Sequence, residues 1–248
     1  MLSKIQINIL GISVDNLSLL EVVSNVQKSI QHNQQIHVEG VNASKIVDMQ
    51  YDKMLHDSVT GSSLITPDGQ SVVWASKILG NPLKERVAGI DLMRELVALA
   101  GENQYKIYLL GAKPQVVESV ATGIQKNHSP NIIAGYRNGY FSKQEEEQIA
   151  QDISDSNAHM LFVGISSPQK EHFIYRHKDV LKNINLVMGV GGSFDVMAGA
   201  TKRAPLWMQN IGMEWFFRFL QEPKRMWKRY LVGNSIFIYQ VLKEKFKK

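Results

Sequence analysis

The sequence contains no cysteine. Disulfide scaffolds, zinc–thiolate sites and a cysteine nucleophile are therefore excluded. No apolar run approaches the roughly 18–20 residues that a membrane-spanning helix needs. The seven histidines show no H-x-x-x-H spacing, and no D-x-D pair is present to hold a metal on a nucleotide diphosphate. Metal dependence therefore has no support in these patterns. The opening residues Met1-Leu2-Ser3-Lys4-Ile5-Gln6 lack the basic start and apolar stretch of a signal peptide, so the cytosol is the expected setting.

What is present is an ordinary globular composition. Apolar residues make up 44% and charged residues 21% of the 248, which argues against a disordered or fibrous chain. That length suits one large domain, or one domain with an appendage. Charge, however, is unevenly placed. Residues 202–248 hold eleven Lys/Arg against three acids, a net +8, while the remainder holds 17 basic and 20 acidic residues, a net −3. The same tail carries ten of the 21 aromatics and three of the four tryptophans. A basic, aromatic tail on an acidic-to-neutral body predicts a second functional surface, with a partner that is anionic and partly apolar.

Periodicity alternates between strand and helix along the body. Strands are expected at 5–10, 36–41, 64–66, 107–110, 131–134, 159–164 and 186–190. Helices are expected at 18–32, 43–55, 70–79, 91–100, 114–126, 142–155 and from 168. Ser18 is a candidate N-cap, Ser142 with Glu145 a capping box, and Gly80 a helix stop. This alternation predicts an α/β fold, a mostly parallel sheet with helices on both faces. The expected division is an α/β core over 1–200 and a basic, aromatic helical appendage over 201–248.

In such folds ligands bind beyond the carboxyl ends of the strands, so the segments that follow strands are the candidates for a site. Gly189-Val190-Gly191-Gly192-Ser193 could cradle a phosphate with backbone N–H groups, or could be a tight strand-to-helix turn. It is neither a dinucleotide fingerprint, because Phe194 stands where a third glycine is needed, nor a P-loop. Asp68 at a strand end suits a general base, a ligand contact or a helix cap, and Asn42 carries the same ambiguity. The Arg86 fork suits a diphosphate if it faces the pocket, although a loop arginine is more often solvated. In the tail, Trp207, Met208, Ile211, Trp215, Phe216, Phe219 and Leu220 fall at helical spacing up to Pro223. Arg218, Arg225 and Arg229 then recur at intervals of seven and four. Membrane-surface binding, nucleic-acid binding and a core or oligomer helix compete as readings of this tail. The density of basic residues favours the membrane surface.

Seven segments together carry a resemblance. They are Thr66-Pro67-Asp68-Gly69, Arg86-Val87-Ala88-Gly89-Ile90-Asp91-Leu92, Leu109-Leu110-Gly111-Ala112-Lys113-Pro114, Ser167-Pro168-Gln169-Lys170-Glu171, Gly189-Val190-Gly191-Gly192-Ser193-Phe194-Asp195-Val196, Lys202-Arg203-Ala204-Pro205 and Gln221-Glu222-Pro223-Lys224-Arg225. In order and spacing they resemble the WecG/TagA/CpsF glycosyltransferases (glycosyltransferase family 26). Two departures stand out. Gly40 occupies a position that often carries a hydroxyl, and Pro168-Gln169-Lys170-Glu171 replaces the usual Pro-Lys-Gln-Glu.

The resemblance implies a Rossmann-like core and inverting transfer from a UDP-sugar to a polyprenyl-diphosphate-linked sugar at the cytoplasmic membrane face. No metal or other cofactor is implied. N-acetylmannosamine is the default sugar, with glucose or N-acetylmannosaminuronate as runners-up, in the synthesis of teichoic acid or other surface polysaccharide. Asp68 carries over as the candidate base, with Asn42 and Arg86 beside it. Gly111, Gln169, Lys170, Glu171, Gly191, Gly192 and Asp195 fall in matching pocket motifs, and Arg218 or Arg225 would complete the site from the tail. The expected partners are the donor, the lipid-linked acceptor and an anionic membrane surface, with a second copy of the chain possible and no nucleic acid. The alternative of a different class is a non-catalytic membrane- or nucleic-acid-binding α/β module.

Overall fold

A computed structural model describes residues 5–247; the side chains of Arg225, Lys228 and Arg229 lie outside the described residues. Its centre is a six-stranded parallel sheet built from β3 (Ile36–Val41), β4 (Leu64–Pro67), β5 (Ile107–Gly111), β6 (Ile133–Arg137), β7 (Met160–Gly164) and β8 (Leu186–Gly189), in the order β4-β3-β8-β7-β5-β6. The central strands are apolar on both faces, as parallel strands covered by helices must be. Alternate side chains feed two different cores. Ile107, Leu109, Met160 and Phe162 pack beneath α1 (Leu19–Gln31), α5 (Gly89–Asn103) and α6 (Pro114–Asn127). Tyr108, Leu110, Leu161 and Val163 pack beneath α7 (Glu146–Asp155) and α8 (Gln169–Arg176). The expected α/β architecture with helices on both faces is therefore present, and the Ser18 and Ser142 capping boxes both form.

Four local expectations are corrected. The first strand does not join the sheet. β1 (Gln6–Ile9) pairs antiparallel with β2 (Ile12–Asp15), a strand that periodicity missed, and the pair forms a separate two-stranded ribbon packed on the body. The helix expected over 43–55 is two helices, α2 (Ala43–Asp48) and α3 (Lys53–Thr60). The break is set by Asp52, whose carboxylate accepts from Leu55 N–H at 2.9 Å and caps α3. The sixth sheet strand begins two residues later than expected and runs to Arg137.

The fourth correction concerns the tail. After the short α9 (Ser193–Met197), its aromatic stripe is not one helix but two, α10 (Leu206–Asn210) and α11 (Glu214–Gln221). They are broken at Gly212, which adopts φ +77° and presses onto Gln70 and Trp74 of α4 (Gln70–Ile78), where a Cβ would stand 2.6 Å from Gln70 Cγ. α12 (Pro223–Trp227), a π-helical turn over Lys228–Gly233 and α13 (Asn234–Lys245) complete the appendage. Phe237 and Val241 of α13 are 2% exposed and share a core with Val41, Ile46, Val47 and Leu55. The appendage is thus joined to the body through a common hydrophobic core, although composition marks it off at residue 201.

Candidate active site

The carboxyl ends of β4, β3 and β8 and the loop after β7 open into one cleft of about 1330 Å³, roofed by α11, the π-helical turn and α13. This is the edge at which parallel α/β sheets bind ligands. Asp68, Asn42, Arg86, Lys170, Gly191, Gly192 and Arg218 all line it. Other expected residues lie elsewhere. Gly111 ends β5 against Gly164, where an added Cβ would stand 2.4 Å from Gly164 C, and it does not line the cleft. Gln169 is exposed outside it, and the Pro168-Gln169-Lys170-Glu171 order therefore turns Lys170 to the pocket. Glu171 is fully buried behind the wall, and Asp195 is half-buried outside the lining. The Arg225 side chain lies outside the described residues.

Asp68 follows β4, and its carboxylate is fixed from one side. Oδ1 accepts the N–H of Gly89, the first residue of α5, at 2.7 Å. Oδ2 has no protein donor among the described residues. Asp68 therefore does not cap the helix that follows it, which begins at Gly69–Gln70 without a side-chain cap. Asn42 does cap, its Oδ1 accepting Lys45 N–H at 3.1 Å at the start of α2. Beneath Asp68 lies Gly40, where a Cβ would stand 3.0 Å from Asp68 Cβ. Glycine at that position therefore lets the Asp68 side chain sit directly against the β3 backbone.

The glycine-rich turn after β8 is largely self-satisfied. Gly191 N–H donates to Val163 O and Ser193 N–H to Val190 O, which is the behaviour of a tight strand-to-helix turn rather than of an open phosphate cradle. Cationic character at this edge comes instead from the appendage. Arg218 Nη2 lies against Gly192, where a Cβ would stand 2.4 Å away and would have to displace the guanidinium. Arg218 Nε is buried without a hydrogen-bond partner, 4.0 Å from Glu222 Oε2. A buried N–H without a partner costs free energy unless a ligand satisfies it.

Arg86 is neither solvated nor free. Its Nη2 donates to Glu214 Oε2 of α11 at 2.9 Å. Glu214 Oε1 in turn accepts from Arg203 Nε at 3.1 Å, and Arg203 forks onto both oxygens of Asp91 at 2.5 and 2.7 Å. The hydrogen bonds to Asp91 lead in raising the Arg203 pKa further, against the opposing effect of burial. This alternating chain ties the appendage to the first turn of α5, so α11 positions Arg86 as well as supplying Arg218. Sequence reasoning did not single out Glu214 or Asp91 for this role, because residues 128 positions apart leave no local spacing signal.

A second cluster, at the cleft floor, was half seen. Glu39 of β3, Lys45 of α2, and Lys170 and Glu171 of α8 form a buried square. Lys45 Nζ contacts Glu39 Oε1 and, at 2.8 Å, Glu171 Oε1; Lys170 Nζ contacts the same two oxygens at 2.6 and 2.5 Å. Burial pushes both carboxyls up, but the two ammonium groups outweigh it and hold Glu39 well below, and Glu171 below, the usual range. Burial would likewise lower Lys45, and the two carboxylates overcome it and raise it. Among the described residues no group of three or more His, Cys, Asp or Glu is placed to hold a metal ion.

The fold and site define an α/β protein with its ligand cleft at the carboxyl edge of a parallel sheet, closed over by a C-terminal helical appendage. The sequence matches the family model described as "Glycosyl transferase WecG/TagA/CpsF family" over residues 7–248, and the chain belongs to that family. It is 38% identical over 198 residues to the Bacillus subtilis (strain 168) N-acetylglucosaminyldiphosphoundecaprenol N-acetyl-β-D-mannosaminyltransferase, covering 79% of this chain and 75% of that one. It is 34% identical over 244 residues to the Staphylococcus aureus (strain MW2) protein of the same description, covering 98% and 94%.

Proposed function

We propose that the protein transfers N-acetylmannosamine from its UDP derivative to a polyprenyl-diphosphate-linked N-acetylglucosamine, with inversion at the anomeric carbon. The observation that carries this reading is the buried, unpartnered Nε of Arg218 in the same cleft as the one-sided Asp68 carboxylate. One group is ready for an anion and the other for a proton. The names of the relatives supply the sugar and the lipid-linked acceptor.

The chemistry follows from these groups. Asp68 Oδ2 removes the proton of the acceptor hydroxyl as that oxygen attacks the anomeric carbon. The bond from the anomeric carbon to the diphosphate breaks, and UDP departs with the electron pair. Arg218 and Arg86 take up the charge that develops on the leaving diphosphate, and no metal is needed for that task. Gly89 N–H holds Asp68 in place through its other oxygen.

Acceptor access is read from the appendage. Leu206, Trp207, Leu220, Trp227 and Phe246 are each at least half exposed on its surface, beside the basic excess of the tail. Such a surface suits peripheral contact with an anionic leaflet, where the lipid-linked acceptor resides. Among the described residues, no helix is long and apolar enough to cross a membrane. The direct test is a thermal-shift series with UDP, UDP-N-acetylmannosamine, UDP-glucose and a duplex oligonucleotide, followed by transfer assays on a short-chain lipid-diphosphate acceptor. Stabilisation by UDP and turnover of UDP-N-acetylmannosamine are expected. Stabilisation by the oligonucleotide alone would instead indicate a non-catalytic module.

A further inference from the structure

Resting on that reading, we infer that the Glu39–Lys45–Lys170–Glu171 square is a recognition site for hydroxyl groups of the nucleotide-sugar, distinct from the Arg86–Arg218 region that faces the diphosphate. Four charges are buried at this point, and a buried ion network is weak evidence for stability, since apolar packing of similar volume serves as well. The square also borders the cleft: Lys45, Lys170 and Gly189 all line it. Gly189 lies directly against the square, because a Cβ there would stand 2.5 Å from Lys170 Nζ and 3.0 Å from Glu39 Oε2.

The bonding inside the square leaves capacity of both kinds. Each ammonium has three N–H donors and spends two, on Glu39 Oε1 and Glu171 Oε1. Each carboxylate spends Oε1 on both lysines, while Oε2 of Glu39 and of Glu171 is buried without a hydrogen-bond partner. The approach of His37 Nε2 to Glu39 Oε2, at 3.6 Å, is too long to count as one. Spare lysine donors and the spare Oε2 of Glu39 beside Gly189, in a square with no net charge, match a group that both donates and accepts. A hydroxyl does so. A phosphate only accepts, and it would bring its charge against two carboxylates. Two parts of a UDP-sugar offer hydroxyls, the ribose and the transferred sugar.

The test pairs a protein change with a ligand change. Lys170→Gln with Glu171→Gln removes one charge of each sign and keeps the Lys45–Glu39 pair, avoiding the lone buried charge of a single substitution. Affinities for UDP and UDP-N-acetylmannosamine are measured by calorimetry on the full chain, with circular dichroism to verify folding. In parallel, wild-type protein is titrated with 2′-deoxy-UDP and with UDP-sugars lacking single sugar hydroxyls. Loss of a hydrogen bond to a charged group should weaken binding about tenfold or more. Equal weakening for UDP and the UDP-sugar, together with a weak 2′-deoxy-UDP, places the ribose on the square. Weakening for the UDP-sugar alone, together with a weak deoxy-sugar analogue, places the transferred sugar there. If wild type binds every deoxy analogue within twofold of its parent, the inference is overturned, whether or not the double variant folds. A folded double variant with both affinities within twofold of wild type overturns it as well. Wild-type protein that binds no UDP ligand would overturn the functional reading beneath it, a result distinguishable from either.

Discussion

Replacing Asp68 with asparagine separates the two tasks that its carboxylate performs. Oδ1 holds Gly89 N–H at 2.7 Å at the start of a 15-residue helix, and Oδ2 is the oxygen left for the acceptor proton. Asparagine keeps an acceptor for Gly89, so the stability loss is limited to the charge–dipole contribution, about 0.3–1 kcal/mol. Basicity disappears, and a positioned base is typically worth 10²–10⁴-fold, so kcat should fall by about that factor. In free energy that is roughly 3–5 kcal/mol of transition-state stabilisation, several times the expected stability change. UDP affinity should persist, because the groups assigned to the diphosphate are Arg86 and Arg218. Asp68→Ala is the contrasting variant: it also abandons the Gly89 donor, and its melting temperature should drop further than that of Asp68→Asn. The assay is steady-state transfer to a short-chain lipid-diphosphate acceptor beside thermal melts and UDP titration. An asparagine variant turning over within about twofold of wild type would refute the assignment and leave Asp68 as a tether for α5.

Other consequences are open to simpler measurements. Transfer should continue in excess EDTA, because the leaving diphosphate is assigned to arginines; activity abolished by chelation and restored by Mg²⁺ or Mn²⁺ would contradict that. Glu39 and Glu171 have folded-state pKa values below the ordinary 4.5, so the stability they confer is present above about pH 4.5 and is lost as pH falls through their folded values. Lys45 is raised from 10.5, so its contribution is present below that pH and is lost only at more alkaline values. Melting temperature should therefore be insensitive to these three groups between about pH 5 and 10 and fall on acidification below that range; a variant lacking the square that acid-unfolds identically would argue against it. Phe237→Ala should cost about 3–5 kcal/mol, since this side chain fills the core shared by α13 and α2. Deletion from Lys202 should destabilise the body at least as much, and a truncated chain melting like wild type would show the appendage to be dispensable for folding. Full-length protein should bind anionic vesicles and release in part at high salt, because roughly 1 kcal/mol per Lys or Arg near the leaflet is screened.

The sheet was legible because its signals are local. Central strands such as Ile107-Tyr108-Leu109-Leu110 and Met160-Leu161-Phe162-Val163 are apolar on both faces and are bounded by glycine, and Ser18 and Ser142 announce their helices through contacts three residues away. Two helix boundaries escaped periodicity. The α2–α3 break needs Asp52, whose carboxylate not only caps α3 but also receives His172 Nε2 at 2.8 Å from α8. The break between α10 and α11 needs Gly212 pressed onto α4. The first is a local cap that the apolar stripe ran across, reinforced from α8; the second is a tertiary contact that a helical stripe cannot carry.

The site divides in the same way. Strand-end placement and the family motifs identified Asp68, Asn42, Arg86 and the 189–193 turn, because topology sends every strand end of a parallel sheet to one edge. That rule cannot tell which strand ends share a cleft: Gly111 sits at the same edge yet opens elsewhere, since β5 is separated from β3 by β7 and β8. Nor can it assign charges to tasks. Arg86 and Arg218 look equivalent in sequence, but Glu214 engages one and Glu222, at 4.0 Å, leaves Nε of the other unsatisfied. Lys170 and Glu171 look like two pocket ligands side by side, yet adjacent helical positions point about 100° apart, so one meets the cleft and the other turns into the wall. What reunites them is Lys45 and Glu39, more than 120 residues upstream, and only the folded chain closes that square.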